Sequence, residues 1–260
     1  MGPNVWTLPG ILLFYGSNFT AEWHRHNALQ IVWPAKLGLT DVEGQQHEGA
    51  LLLAAEVEHQ LSMEEGWVML VEPQSTLGVA LAEFLSGEPA RPIDKLESFC
   101  SQEQGDIQQS AFPRDQLVPL FKALGIEWGI EWGIKLGGGN DFLASGGGSL
   151  DKRIHQLVQK LNACFGADCL KPDAWRAAEV ASELALSESR FLHLFRREMN
   201  IAWRPYLLWR RLQCAVEEIH RGGTATEAAY HTGFSDSAHL SRTFRSQFGM
   251  TLRDAKSIFR

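Results

Sequence analysis

The chain has 260 residues, 45% hydrophobic and 21% charged, a composition that predicts packed cores and suits one large domain or two medium ones. Its net charge of −7 is uneven: residues 1–150 carry 7 Lys+Arg against 19 Asp+Glu, a balance of −12, whereas residues 151–260 carry 17 against 12, a balance of +5. No uninterrupted apolar run reaches the about 18 residues of a spanning helix, and "GILLFYG" is too short, with no basic stretch before it, to read as a secretory signal, so no membrane partner is expected.

The charge split points to two units with different partners, the basic one compatible with nucleic acid. Cys100, Cys164, Cys169 and Cys214 form no CxxC pair and are expected to be reduced thiols of a cytoplasmic protein.

In chain order, residues 5–72 carry short apolar runs broken by Gly, Pro and Asp: "GILLFYG", "LQIVW", "ALLLAAE" and "WVMLVEP". Such runs predict several short strands in a small barrel or sandwich. Inside this region, "EWHRHNALQIVW" puts His24 and His26 one residue apart. In a strand both imidazoles share a face, where two such groups could hold a metal. From about residue 76 the pattern turns helical, in "TLGVALAEFL", "IDKLESFCSQ" and "RDQLVPLFKALG". The helices at 78–86 and 113–124 are candidates for pairing with a second copy.

"IEWGIEWGIKL" repeats Glu-Trp-Gly-Ile, and its Trp128 and Trp132 read either as buried against the first unit or as a dimer contact. "KLGGGNDFLASGGGSL" then holds two triple-glycine runs, the composition of a flexible linker. The charge changes sign across it. The predicted division is therefore 1–135, a linker at 136–149, and 150–260.

The second half reads as helix throughout. "LDKRIHQLVQKLNACF" repeats apolar residues at Leu150, Ile154, Leu157, Val158 and Leu161, one helical stripe. "DAWRAAEVASELA" follows, with Asp173 as a candidate N-cap. In "LSESRFLHLFRREMN", Ser187 caps a helix that buries Phe191, Leu194 and Phe195 and turns Ser189, Arg190, His193, Arg196 and Arg197 outward. Helix, tight turn and helix with a basic outer face is the helix-turn-helix pattern.

The pattern recurs in "ATEAAYHTGFSDSAHLSRTFRSQFG". Gly233 suits a positive-φ turn, and Ser235 or Asp236 suits the next N-cap. Leu240, Thr243 and Phe244 each lie 49 residues after Phe191, Leu194 and Phe195. Between the copies, "RPYLLWRRLQCAVEEIHRG" has Pro205 for a first turn and Gly222 for a helix end. About 17 residues give roughly 25 Å of rod, and with the flanking helices two reading heads come to about 34 Å apart, one turn of B-DNA.

The motifs "AEVASELALSESRFLHLFRREMN", "YLLWRRLQCAVEEI" and "GFSDSAHLSRTFRSQFGMT" resemble the DNA-binding region of AraC/XylS-family transcriptional regulators. The match covers about 110 residues. Asn200 and Ala185 stand at frequent glycine positions of that family, Leu252 at a common proline, and Ala228 where an apolar residue is usual. The resemblance implies an α+β multidomain chain: an N-terminal cupin-like β-barrel with appended helices, then an all-α domain with two helix-turn-helix motifs joined by a long helix. It implies reading helices at about 187–198 and 236–247 in successive major grooves of double-stranded DNA.

Base-facing positions of the family correspond to Ser189, Leu192, His193 and Arg196 in the first helix. In the second they correspond to Ser237, Ala238, His239, Ser241 and Arg242. Arg190, Arg197 and Arg245 complete the DNA-binding set, with Arg197 and Arg245 read as phosphate contacts. A homodimer, a small-molecule effector and RNA polymerase are the further partners implied for a bacterial activator or repressor.

The same resemblance makes the β unit a sensing or dimerisation domain. His24, His26, Gln30 and His59, with Trp33 and Trp67, are its candidate effector pocket, Trp23 and Phe14 adding apolar walls. The histidines also read as hydrogen-bonded members of the barrel. A metal site ranks third, because Gln30 stands near the place of the glutamate that metal-binding cupins use. No metal and no cofactor are expected. The competing class, a cupin-type metalloenzyme with a structural helical tail, predicts no DNA binding. GxxxxGK[ST], GxSxG and HExxH are all missing from the sequence, and the chain is not expected to be an enzyme.

Overall fold

The structure, a computed structural model, describes residues 5–36, 39–41, 46–47, 49–93, 114–126, 150–166 and 175–258. The Glu-Trp-Gly-Ile repeat, the glycine-rich stretch with the predicted boundary, the helix expected from residue 94 and Asp173 lie outside them.

The strands are β1 (Val5–Leu8), β2 (Ile11–His24), β3 (Leu29–Lys36), β4 (Leu39–Asp41), β5 (Gln46–His47), β6 (Leu51–Leu53), β7 (His59–Val71) and β8 (Ala90–Pro92). They form one antiparallel sheet in the order β1-β2-β7-β3-β6-β8, with β4 paired to β5 and β7. β7 is the centre: Leu13 of β2 and Ile31 of β3 both lie opposite Met69. The expected cupin-like unit is thus present as an open sheet rather than a closed barrel. Its path ends at β1 and at the three-residue β8. Register shifts at Ala21/His24 and Pro34/Lys36 mark bulges, which bend strands, and among the described residues β1 and β8 do not pair.

Both faces of the sheet are buried, which explains apolar runs where a half-exposed strand would alternate. Leu13, Ile31, Trp33, Trp67 and Met69 cluster with α1 (Thr76–Leu85) and α2 (Arg114–Ala123) through Leu77, Leu81, Leu117 and Phe121. The alternate residues Leu12, Phe14, Val32, Val68 and Leu70 belong to a second cluster shared with the C-terminal helices.

Those helices are α3 (Lys152–Gly166), α4 (Ala177–Glu183), α5 (Glu188–Met199), α6 (Trp203–His220), α7 (Ala225–Thr232), α8 (Ser237–Phe248) and α9 (Leu252–Ile258). They divide between two cores. Ile154, Leu157, Val158, Phe191, Phe195, Trp203 and Tyr206 join α3, α4, α5 and the start of α6. Trp209, Leu212, Val216, Leu240, Phe244, Phe248 and Met250, from the rest of α6 and from α7 to α9, join the sheet's cluster. The 18-residue α6 therefore runs through both.

One buried ion pair locks this arrangement. Arg210 of α6 donates to Glu72, just after β7, at 3.1 Å and to Asn162 of α3 at 2.6 Å; the paired side chains are 3% and 2% exposed. Burial pushes the Glu72 carboxyl up, against the pull of Arg210. Cys214, also on α6, is disulfide-bonded, which corrects the expectation of four free thiols. Sequence spacing carries no signal for which cysteines the fold brings together.

A buried charge stripped of its partner is costly, whereas an apolar pair of similar volume is tolerated. Glu72→Ala should lower unfolding free energy by about 3–5 kcal/mol in denaturant titration, and Glu72→Leu with Arg210→Met should recover most of it.

Candidate nucleic-acid interface and histidine cluster

The two helix pairs α4–α5 and α7–α8 share one local design. Ser187 accepts from the Arg190 amide at 3.3 Å to start α5, and Asp236 accepts from the His239 amide at 2.7 Å to start α8. Each turn passes through a left-handed residue, Ala185 at φ 53° and Gly233 at φ 80°. Each second helix also stops on one, Asn200 at φ 51° and Gly249 at φ 64°. Phe191, Leu194 and Phe195 are buried, as are Leu240 and Phe244, while Thr243 is half-buried.

The outer faces differ. On α5, Ser189, Arg190, His193, Arg196 and Arg197 are exposed, and Leu192 leans half-buried on the first core. On α8, Ala238, Arg242 and Arg245 are exposed, whereas Ser237, His239 and Ser241 are half-buried. Ser241 Oγ donates to the Ser237 carbonyl at 2.7 Å, and Ser235 Oγ lies 3.1 Å from His239 Nδ1. Both arginines read as phosphate contacts are paired within the protein. Arg197 donates to Glu198 at 2.9 Å, and Arg245 donates to Glu22 of β2 at 2.7 Å.

A family model described as "Helix-turn-helix domain" matches residues 180–257. The chain is 30% identical over 115 residues to the HTH-type transcriptional activator RhaS of Escherichia coli, covering 42% of this chain and 40% of RhaS. It is 35% identical over 75 residues to the "Probable transcriptional regulator LumQ" of Photobacterium leiognathi, covering 28% of this chain and 30% of that protein. The aligned part is thus well under half of these relatives' length. A crystal structure of an apo ToxT variant from Vibrio cholerae shares the fold across 96% of this chain and 98% of its own, at 13% identity and a TM-score of 0.53. The C-terminal part of the chain is thus similar to the helix-turn-helix region of these AraC-type regulators.

The structure splits the predicted effector pocket. His24, at the end of β2, pairs across to His59, at the start of β7, and His26 lies in the β2–β3 turn. Gln30 sits 2.9 Å from His26. These four are buried together, with His26 6.3 Å from the Trp209 ring of α6. Trp33 and Trp67 instead stack on each other at 5.7 Å within the cluster that faces α1 and α2. Phe14 lies in the cluster shared with α6–α9, and Trp23 is largely exposed.

Burial holds His24 down to about 4, with a contribution from His26, and His59 down to about 3, with contributions from His24 and His26; it also lowers His26. The three rings are therefore neutral near pH 7. Each Nδ1 faces a backbone carbonyl, that of Glu22 at 2.7 Å, Ala28 at 3.0 Å and Val57 at 2.9 Å. A carbonyl only accepts, so each Nδ1 carries the proton and each Nε2 a lone pair. The Gln30 amide must then turn its NH2 towards His26 Nε2, which also satisfies a nitrogen otherwise lacking a partner among the described residues.

Sequence reasoning missed Glu22, the buried Arg210–Glu72 pair and the tertiary role of Gly249. The Glu22 amide donates to the Gly249 carbonyl at 2.8 Å. A Cβ on Gly249 would overlap the Glu22 carbonyl oxygen and come within 2.6 Å of His24 Nδ1. Gly249→Ala therefore combines a positive-φ penalty with a backbone clash, and calorimetry should show a loss of about 2–4 kcal/mol. Ala185→Gly relieves the same φ penalty in an open turn and should gain about 0.5–1 kcal/mol.

Proposed function

We propose that this protein is a sequence-specific DNA-binding transcription regulator whose helices α5 and α8 enter successive major grooves on one face of a duplex. The duplicated motif carries the reading: two helices with matched caps and left-handed turns, each presenting polar and basic residues outward. The 18 residues of α6 span about 27 Å, a length that supports heads about one helical turn of B-DNA apart.

In this reading Arg196 and Arg242 bond guanine edges, while Ser189, His193, Ser237, His239 and Ser241 meet other base acceptors and donors. Leu192 and Ala238 give apolar contact to thymine methyl groups. Arg190, Arg197 and Arg245 meet phosphate, which requires Arg245 to exchange Glu22 for DNA. The N-terminal unit, 1–135, senses a small molecule or pairs with a second copy, joined by the linker at 136–149. RNA polymerase is the further partner, and the compartment is the cytoplasm.

Selection from a random duplex library followed by fluorescence anisotropy tests this reading. Wild-type protein should recover a site with two half-sites one helical turn apart; enrichment of no sequence would sink the proposal. Arg196→Ala or Arg242→Ala should cost about 1–3 kcal/mol on the selected site and relax one base position. Arg245→Ala should weaken all sequences alike and reduce the salt slope by about 0.9. The Arg245–Glu22 pair is 58% and 68% exposed and therefore weak, so Glu22→Ala should strengthen binding by no more than about fivefold.

A further inference from the structure

We propose that His24, His26 and His59 form a binding site for a divalent transition-metal ion of the zinc type, set between the β sheet and the second helix-turn-helix motif. One ring nitrogen from each histidine lies within 4.8 Å of the other two, and all three side chains are buried. The ring centroids are 4.3 Å (His24–His59), 5.3 Å (His26–His59) and 5.7 Å (His24–His26) apart.

The hydrogen bonds carry the argument beyond proximity. Metal-ligating imidazoles give their other N–H to a carbonyl or carboxylate, which fixes the tautomer and aims the lone pair. All three histidines do this, through Glu22, Ala28 and Val57. A hydrogen-bonded core would use the remaining nitrogens as well. Instead His59 Nε2 is buried with no hydrogen-bond partner among the described residues, a cost that a bound cation would offset. His26 Nε2 meets only the Gln30 amide, a neutral group that the metal displaces and whose oxygen then offers a fourth donor.

Ligand type selects the ion. Three neutral imidazoles with no carboxylate or thiolate suit zinc, copper, nickel or iron, and not magnesium or calcium.

The position gives the site a consequence. His24 Nδ1 donates to the Glu22 carbonyl, and the Glu22 amide donates to Gly249, the residue that ends α8. A metal therefore stiffens the junction that holds the second reading helix. This consequence rests on the proposed function; metal binding itself does not.

The test uses the full chain, purified without a histidine tag, stripped with chelator and dialysed. Co2+ is the probe. The expected result is a visible ligand-field spectrum saturating at one equivalent, abolished by one equivalent of Zn2+, with a rise in Tm. In 15N spectra, Zn2+ should shift the Nε2 resonances of three of the nine histidines while their Nδ1–H signals persist. His59→Ala and His24→Asn should each lower affinity at least tenfold; if either fails to fold, the wild-type 15N assignment decides. No spectrum and no Tm shift at a hundredfold excess of metal overturns the site. So does stoichiometric binding that leaves these three histidines unperturbed.

Discussion

Burial of the second face of the β sheet by α6–α9 is the constraint on which the rest of the molecule depends. Leu12, Phe14, Val68 and Leu70 share one cluster with Trp209, Phe248 and Met250, so the sheet and the second helix-turn-helix motif have a common core. The first motif keeps its own, around Phe191, Phe195 and Trp203. Helix α6 belongs to both cores. The Arg210–Glu72–Asn162 network sits where that helix passes from one core to the other. Buried ionic groups are weak evidence for stability, and an orienting role for this pair follows from its demand for one geometry.

Helices α5 and α8 are consequently unequal. The polar face of α5 is open along its length. That of α8 is partly occupied by its own hydroxyl bonds and by the Glu22 ion pair. Engagement of α8 with any polyanion competes with contacts to β2, so the β unit biases the second motif far more directly than the first. The acidic balance of residues 1–150 favours the same docking, since a −12 region attracts a +5 region.

Four buried polar residues, His24, His26, Gln30 and His59, gather where β2 ends and β7 begins. Desolvating three imidazoles is expensive; the backbone carbonyls of Glu22, Ala28 and Val57 offset part of that cost, and His59 Nε2 has no hydrogen-bond partner among the described residues. The cluster lies at the seam with α6 and α8, where a change in its packing or its ligands acts on both units.

Local patterns were legible in the sequence because their physics is local. The 49-residue repeat of Phe191, Leu194 and Phe195, the caps at Ser187 and Asp236, and the left-handed Asn200 and Gly233 all follow from side-chain spacing and turn chemistry within a few residues. The expected shared strand face of His24 and His26 was not found: β2 ends at His24 and His26 lies in the turn after it, so the tertiary fold rather than strand alternation brings the two rings together. The openness of the sheet was not legible, since closure depends on how far the bends of β2 and β3 carry the end strands. Nor was the separation of Trp33 and Trp67 from the histidines, which strand register and a turn placed on opposite faces. The partners of Arg245 and Arg210, 223 and 138 residues away, were decided only by the docking of two hydrophobic faces. Sequence fixes which groups are available for long-range pairing; three-dimensional packing selects which of them meet, because burial acts on area and shape that no single segment contains.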